Sequence, residues 1–164
     1  MVSWVQGDIV EQGLDAIVNA ANEDLAGGSG VCGAIFSAAG WDDMAAACRA
    51  VAPCPTGEAR STPGFALAAH HVIHAVGPVW HGGTSGEEDL LRSAYRSALD
   101  EAVRLGVSSI AVPVLSTGVY GYPLEDGCRV AWEELGAAPA SLTDVRLVAF
   151  DAATISVLGA LAGH

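Results

Sequence analysis

The chain has 164 residues, within the ~100–200 residues of one domain and long enough for one sizeable core. Hydrophobic residues make up 51% and charged residues 16%, a balance that excludes intrinsic disorder. Seven basic residues stand against nineteen acidic ones, a formal net charge of −12, which argues against binding of duplex nucleic acid because that needs a basic face.

A small anionic ligand is not excluded. Surface charge is screened beyond ~8 Å at physiological salt, and local donors in a pocket contribute about 1.5–3 kcal/mol each to a charged group. No stretch reaches the ~18 uninterrupted apolar residues of a membrane span. The N-terminus reads Met-Val-Ser-Trp, without the pattern of a signal peptide. Cys32, Cys48, Cys54 and Cys128 form no CxxC pair, which fits a reducing cytoplasm. With no repeat, low-complexity tract or linker, residues 1–164 read as a single domain.

In chain order the apolar pattern predicts a short strand at Ser3–Val5 and a buried strand at Asp15–Ala20. Helices follow at Val31–Ala39 and Met44–Val51, the second with Asp42 or Asp43 as N-cap. Strands at Ala59–Thr62 and Val72–Val76 flank a Pro63-Gly64 turn, and the polar, Gly-rich run His81–Asp89 reads as a surface loop. Glu87–Leu105 is the clearest helix. Leu91, Ala94, Tyr95, Ala98, Leu99 and Ala102 share one face, and Gly106 ends it. A strand at Ile110–Leu115, a helix at Leu124–Leu135, a strand at Val145–Phe150 and a helix at Ala153–Ala162 complete the chain. Strands alternating with helices imply an α/β layered domain with a largely parallel sheet covered on both faces.

Four segments that could carry chemistry lie at or near strand ends, where ligands of open α/β sheets gather. Gly7-Asp8-Ile9 reads either as a turn with Asp8 bonding its own backbone or as a polar contact. Asn19 and Asn22, three residues apart, offer donors and acceptors ahead of a Gly-rich loop. In Gly27–Phe36 the glycines let the backbone approach a ligand, and the following helix N-terminus presents unpaired N–H groups to an anion. Gly28, Gly30 and Gly33 match GxGxxG. Residues 22–26, however, separate them from the strand, and the expected acidic residue about 20 positions on is missing, so a Rossmann fold is rejected. Ser116–Pro123 adds hydroxyls, glycines and Tyr120 in a loop able to enclose phosphates and a sugar.

Other constellations are weaker. His70 and His74 would be separated by roughly 13 Å along a strand, and His70 and His71 point to opposite faces, so no metal site is expected. Ser116 lacks the G-x-S-x-G elbow of hydrolases. Cys32, at a helix N-terminus, is a candidate nucleophile if a histidine lies beside it.

Taken in order, Gly7-Asp8-Ile9, Val18–Asn22, Gly27–Ile35, Thr56–Ala59, Val72–His74, Gly77–Trp80 and Ser116–Pro123 resemble the macrodomain family, particularly its MacroD-type branch. The resemblance covers residues 4 to 151. It implies a three-layer α/β/α sandwich around a mixed, mostly parallel sheet, with a cleft for ADP-ribose and no cofactor. By motif, Asp8 would accept from the adenine amino group beside the Ile9 backbone, and Phe150 would pack on adenine. Gly30, Val31, Cys32 and Gly33 would line the diphosphate and distal ribose. Ser116, Thr117, Gly118, Val119 and Tyr120 would close over the phosphates, Asn22 would hold the distal ribose, and Tyr120 would lie against it.

The implied activity is hydrolysis of mono-ADP-ribose from acidic residues of proteins, and deacetylation of O-acetyl-ADP-ribose. Asn22, Gly30, Cys32 and Tyr120 would form the reacting end. Two departures set an alternative beside it. Catalytic relatives usually carry aspartate at the position of Cys32, and often histidine at Phe36. A neutral thiol is a poor base, so a non-catalytic ADP-ribose reader is the second reading. Other members, viral ones included, also lack the aspartate yet resemble ester-cleaving hydrolases.

Overall fold

The computed structural model describes residues 2–163; Met1 and His164, the ends of the expected 1–164 domain, lie outside the described residues. Among the described residues, six strands form one sheet. They are β1 (Val2–Gln6), β2 (Ala16–Ala20), β3 (Ala59–Pro63), β4 (His71–Ala75), β5 (Ser109–Pro113) and β6 (Asp144–Ala149), in the order β1-β6-β5-β2-β4-β3. Every pairing is parallel except β3 with β4. Helices α1 (Gly30–Ala39), α2 (Trp41–Val51), α3 (Glu87–Leu105), α4 (Leu124–Gly136) and α5 (Ala152–Ala162) cover the two faces. This is the mixed α/β/α sandwich that the alternation and the resemblance imply.

The strand sequences explain the layering. Successive side chains point to opposite faces, so Ala16 and Val18 of β2 join one core while Ile17 joins the other. The first core packs under α3, α4 and α5, through Leu91, Val130 and Leu158. The second packs under α1 and α2, through Ile35, Phe36, Met44 and Cys48. A central strand covered on both faces has no polar side to spare, which is why β2 and β5 read as apolar runs. The face predicted for α3 is the buried one: Leu91, Ala94, Tyr95, Ala98, Leu99 and Ala102 are all within the core.

Boundaries shift where turn chemistry decides. Helix α2 begins at Trp41, earlier than predicted, and neither Asp42 nor Asp43 is its N-cap. Gly40, with φ of 102°, separates α1 from α2 and takes that place. The two aspartates sit in the first turn, where they complement the helix dipole. A single turn of 3-10 helix, Ile9–Glu11, was not read from the sequence. Strand β3 runs to Pro63, so the expected Pro63-Gly64 turn is the start of a longer connection across residues 64–70.

Strand β5 leaves its ladder at Pro113, and the chain continues as the wall of a cleft. The hydroxyl of Tyr95, fully buried on α3, receives the Leu115 N–H at 2.8 Å. That bond steers the backbone just before Ser116. Tyr95→Phe therefore leaves a buried donor unpaired, and should lower unfolding free energy by about 1–3 kcal/mol. Urea denaturation of the purified variant measures it, and an unchanged midpoint would show that the bond contributes nothing.

Candidate functional site

The carboxyl ends of β1, β2, β5 and β6 open onto one elongated cleft with two lobes. The first lobe, about 530 Å³, is lined by Asp8, Ile9, Val148, Phe150, Asp151 and Thr154 among others. The second, about 360 Å³, is lined by Ala20, Asn22, Ser29, Cys32, Gly77, Ser116, Val119 and Tyr120 among others. Gly30, Val31, Val114 and Gly118 line both lobes and form the waist between them. Thr117 belongs to the first lobe. Asn19 lies beneath the cleft and lines neither lobe; of the residues that the resemblance assigns to the ligand, Gly33 alone does the same. It packs beneath the loop, where a Cβ would lie 2.6 Å from the Gly28 carbonyl oxygen.

Local structure places each group. Asp8 lies between β1 and the 3-10 turn and accepts from Val10 N–H at 3.1 Å through one oxygen, so the turn reading is realised beside the cleft. Asn22 bridges its own loop. Its Oδ1 accepts the Ala26 N–H at 3.0 Å and its Nδ2 donates to the Ala26 carbonyl at 3.2 Å. An asparagine has a second N–H and a second lone pair, which stay available to a ligand. Ser29 provides no side-chain cap to α1, so the first N–H groups of that helix stay unpaired at the waist. Ser116 adopts a left-handed conformation, φ 69°, that a serine takes only at a cost. Phe150 and Val119 stand exposed at the cleft rim.

Among the described residues, no basic side chain lines either lobe. All seven basic residues are arginines. Six of them, at 60, 92, 96, 104, 129 and 146, are in ion pairs away from the cleft. An anion at the waist would meet backbone N–H groups and a helix dipole rather than a cation. Among the described residues, no carboxylate or imidazole lines the second lobe either.

Beneath that lobe lies a buried polar chain that the sequence reading missed. Asn19 and His74 are register partners across β2 and β4. Asn19 Nδ2 donates to His74 Nδ1 at 3.0 Å and approaches Cys32 Sγ at 3.6 Å. With Nδ1 accepting, His74 carries its proton on Nε2, 3.0 Å from Thr62 Oγ1, whose hydroxyl in turn points to Met44 Sδ at 3.3 Å. Burial pushes the His74 pKa down to about 4. Cys32 donates toward the Ala26 carbonyl at 3.7 Å. Asn19 thus stands between thiol and imidazole, and the Cys–His nucleophile considered from sequence is not assembled. The other thiol near His74 is Cys48, at 3.7 Å from Nε2. It is fully buried, and burial raises its pKa to about 11. Among the described residues no group of three His, Cys, Asp or Glu is placed to hold a metal ion, and no helix is long and apolar enough to cross a membrane.

Residues 18–131 match the family model described as Macro domain. A macro domain-containing protein of Chlorobaculum tepidum is 50% identical over 131 residues, 80% of this chain and 76% of its own length. The structure of an Oceanobacillus iheyensis macrodomain with ADP superposes with a TM-score of 0.91 at 35% identity, over 99% of this chain and 90% of that one. A Trypanosoma brucei macrodomain in complex with ADP-ribose gives 0.89 at 37% identity, over 99% and 69%.

The buried histidine sets a pH dependence. Its folded pKa of about 4 lies below the unfolded value of 6.5. Its environment therefore costs nothing above pH 6.5, and stability is lost as pH falls from 6.5 toward 4, by about 3 kcal/mol in all. Between pH 6.5 and 5 the wild type should lose about 2 kcal/mol from this group, while His74→Gln should lose much less. Denaturant titrations at both pH values test this; equal losses in the two proteins would remove His74 as the cause.

Proposed function

The chain belongs to the Macro domain family, and from that premise we propose that its cleft binds ADP-ribose and that the protein hydrolyses mono-ADP-ribose esters on acidic protein side chains. The observation that carries this reading is the two-lobed cleft with a cation-free waist. ADP-ribose has the matching form: an aromatic nucleoside at one end, a ribose at the other and a diphosphate between. ADP and ADP-ribose are the ligands named with the similar Oceanobacillus iheyensis and Trypanosoma brucei structures.

In this reading the first lobe takes adenosine. The free oxygen of Asp8 accepts from the adenine amino group, with the Ile9 backbone alongside, and Phe150 offers a ring face for stacking. The diphosphate lies at the waist, against N–H groups of Gly30, Val31 and Cys32 and of the Ser116–Tyr120 loop; Gly33 supports the loop from below. The distal ribose enters the second lobe, oriented by Asn22 and Tyr120, with Cys32 in the wall. Among the described residues that lobe has no carboxylate or imidazole to serve as base, so the attacking water is held by the ligand's own phosphate and the protein contributes orientation. An ester to Asp or Glu suits so weak a base, because it is easier to cleave than an amide. O-acetyl-ADP-ribose presents a related ester and is the second substrate. Modified proteins are the partners.

One observation favours a second reading, a reader that binds without cleaving. The Cys32 S–H is directed at the Ala26 carbonyl and is a donor there. A missing general base costs typically about 10²–10⁴-fold in rate.

A time course with a protein mono-ADP-ribosylated on glutamate separates the two. As an esterase, the wild type releases ADP-ribose, Cys32→Ala keeps most of that rate, and Asn22→Ala loses at least about tenfold, the weight of one hydrogen bond to the reacting sugar. A Cys32→Ala protein that binds ADP-ribose but is inactive would overturn this mechanism. Absence of release with ADP-ribose binding intact by calorimetry would establish the reader. Charge gives a further test. The net charge of −12 repels an anionic ligand, and the cleft has no cation to offset it. The ADP-ribose association rate should therefore rise with salt between low and physiological ionic strength, as screening removes the repulsion. A rate that falls with salt in stopped flow would point to a cationic contact and against this site.

A further inference from the structure

The connection from β4 to α3 is rich in glycine and open to solvent from His81 to Gly86. Gly82, Gly83 and Gly86 all have positive φ, of 100°, 90° and 76°. A segment of this composition has little of its own to hold one shape. Yet it converges on a single carboxylate. Glu87, the first residue of α3, is 1% exposed. Its Oε2 accepts N–H groups of His81 at 2.8 Å and Gly83 at 2.9 Å, and its Oε1 accepts that of Ser85 at 2.6 Å. The bond from His81, with those that follow it, holds this carboxyl down to about 2, so it is ionised at every physiological pH.

Trp80 precedes this loop. Its N–H donates to the Tyr120 carbonyl at 2.8 Å. Its ring meets the buried Tyr122 edge to face at 4.8 Å. Gly83 lies under the same ring, where a Cβ would be 2.8 Å from it. Tyr120 and Tyr122 end the cleft loop, which closes on itself through Tyr122 N–H to the Ser116 carbonyl at 2.9 Å. Glu87 lines neither lobe, but its loop runs directly into the residue that clamps the far wall of the second one.

We infer that Glu87 is a positioning residue for the ribose end of the cleft: its carboxylate fixes the 81–85 loop, the loop fixes Trp80, and Trp80 fixes the backbone at Tyr120. This deepens the proposed function and rests on that reading for its ligand. Glutamine at this position keeps the size but presents an N–H donor where a carboxylate oxygen accepts. Aspartate keeps the charge but is one methylene too short to reach all three donors. Both variants loosen the clamp, and the aspartate variant remains available should the glutamine variant not fold.

The experiment compares Glu87→Gln and Glu87→Asp with the wild type in two readouts. Calorimetry with ADP-ribose and with AMP separates the ends of the cleft, since AMP reaches only the adenosine lobe and the waist. ADP-ribose affinity should fall at least about tenfold, while AMP affinity stays within about twofold. Hydrogen exchange of the Trp80 amide reads the clamp without any ligand, and its protection should fall by a similar factor. A purely structural role would lower the melting temperature and weaken both ligands together, which overturns the proposal; so does a Trp80 amide that stays protected in both variants. A wild type that binds neither nucleotide would defeat the ADP-ribose reading alone, and the Trp80 exchange rates would still decide the role of Glu87.

Discussion

The parallel placement of β2 between β4 and β5 is the constraint on which the site depends. It sets Asn19 beside His74 in register and brings the segments after β2 and β5 to the same edge of the sheet. The waist of the cleft then forms between the N-terminus of α1 and the loop that follows β5. A one-residue slip of β2 would turn Asn19 to the opposite face and place Val18 where the buried imidazole needs a donor. The polar chain from Cys32 through Asn19, His74 and Thr62 to Met44 is thus a register lock as well as a floor for the cleft.

Electrostatically, the chain keeps its arginines away from its site. Arg92 and Arg96 of α3 and Arg129 of α4 pair with Glu88, Glu133 and Glu134, none of which lines the cleft. What faces an anion at the waist is backbone: N–H groups at the start of α1 and in the Ser116–Tyr120 loop. Such donors need no side-chain ordering and carry no cation that a competing acidic residue could capture. Their disadvantage is that backbone must be held in place by something else. Tyr95 does this for Leu115 from below, and Trp80 does it for Tyr120 from the side.

Strain and polar isolation gather at the same place. Ser116 takes a left-handed conformation, and its buried hydroxyl has no partner in the protein. Among the described residues, the Asn19 amide oxygen is the other buried side-chain nitrogen or oxygen without one. Both border the second lobe or its floor, where the sugar is proposed to react. Backbone held in a costly conformation at a ligand site is what a pre-organised loop looks like, and the surrounding bonds to Leu115, Tyr120 and Tyr122 over-determine it.

Much of this was legible in the chain itself. The alternation of apolar strands with amphipathic helices determined the layer architecture, and the α3 face from Leu91 to Ala102 was read residue by residue because helical period and burial coincide there. Asp8, Asn22, Gly30, Cys32, Ser116 and Tyr120 stood out as polar, glycine or aromatic residues near strand ends and took their expected roles from the family resemblance; the structure brings all six to the cleft. Three things were not legible. His74 looked like one of a histidine cluster, and only strand pairing, a contact across 55 residues of chain, shows that it bonds Asn19. Glu87 looked like an ordinary acidic start to a helix, because no local pattern reveals that three N–H groups fold back onto it. Whether a histidine stood beside Cys32 was equally out of reach, and Asn19 turned out to stand between them. Sequence by itself determined what is periodic and local: the elements, their buried faces and the residues at their ends. Tertiary structure alone decided which distant polar groups meet, because a buried hydrogen bond depends on register and packing between segments that are separate in the chain.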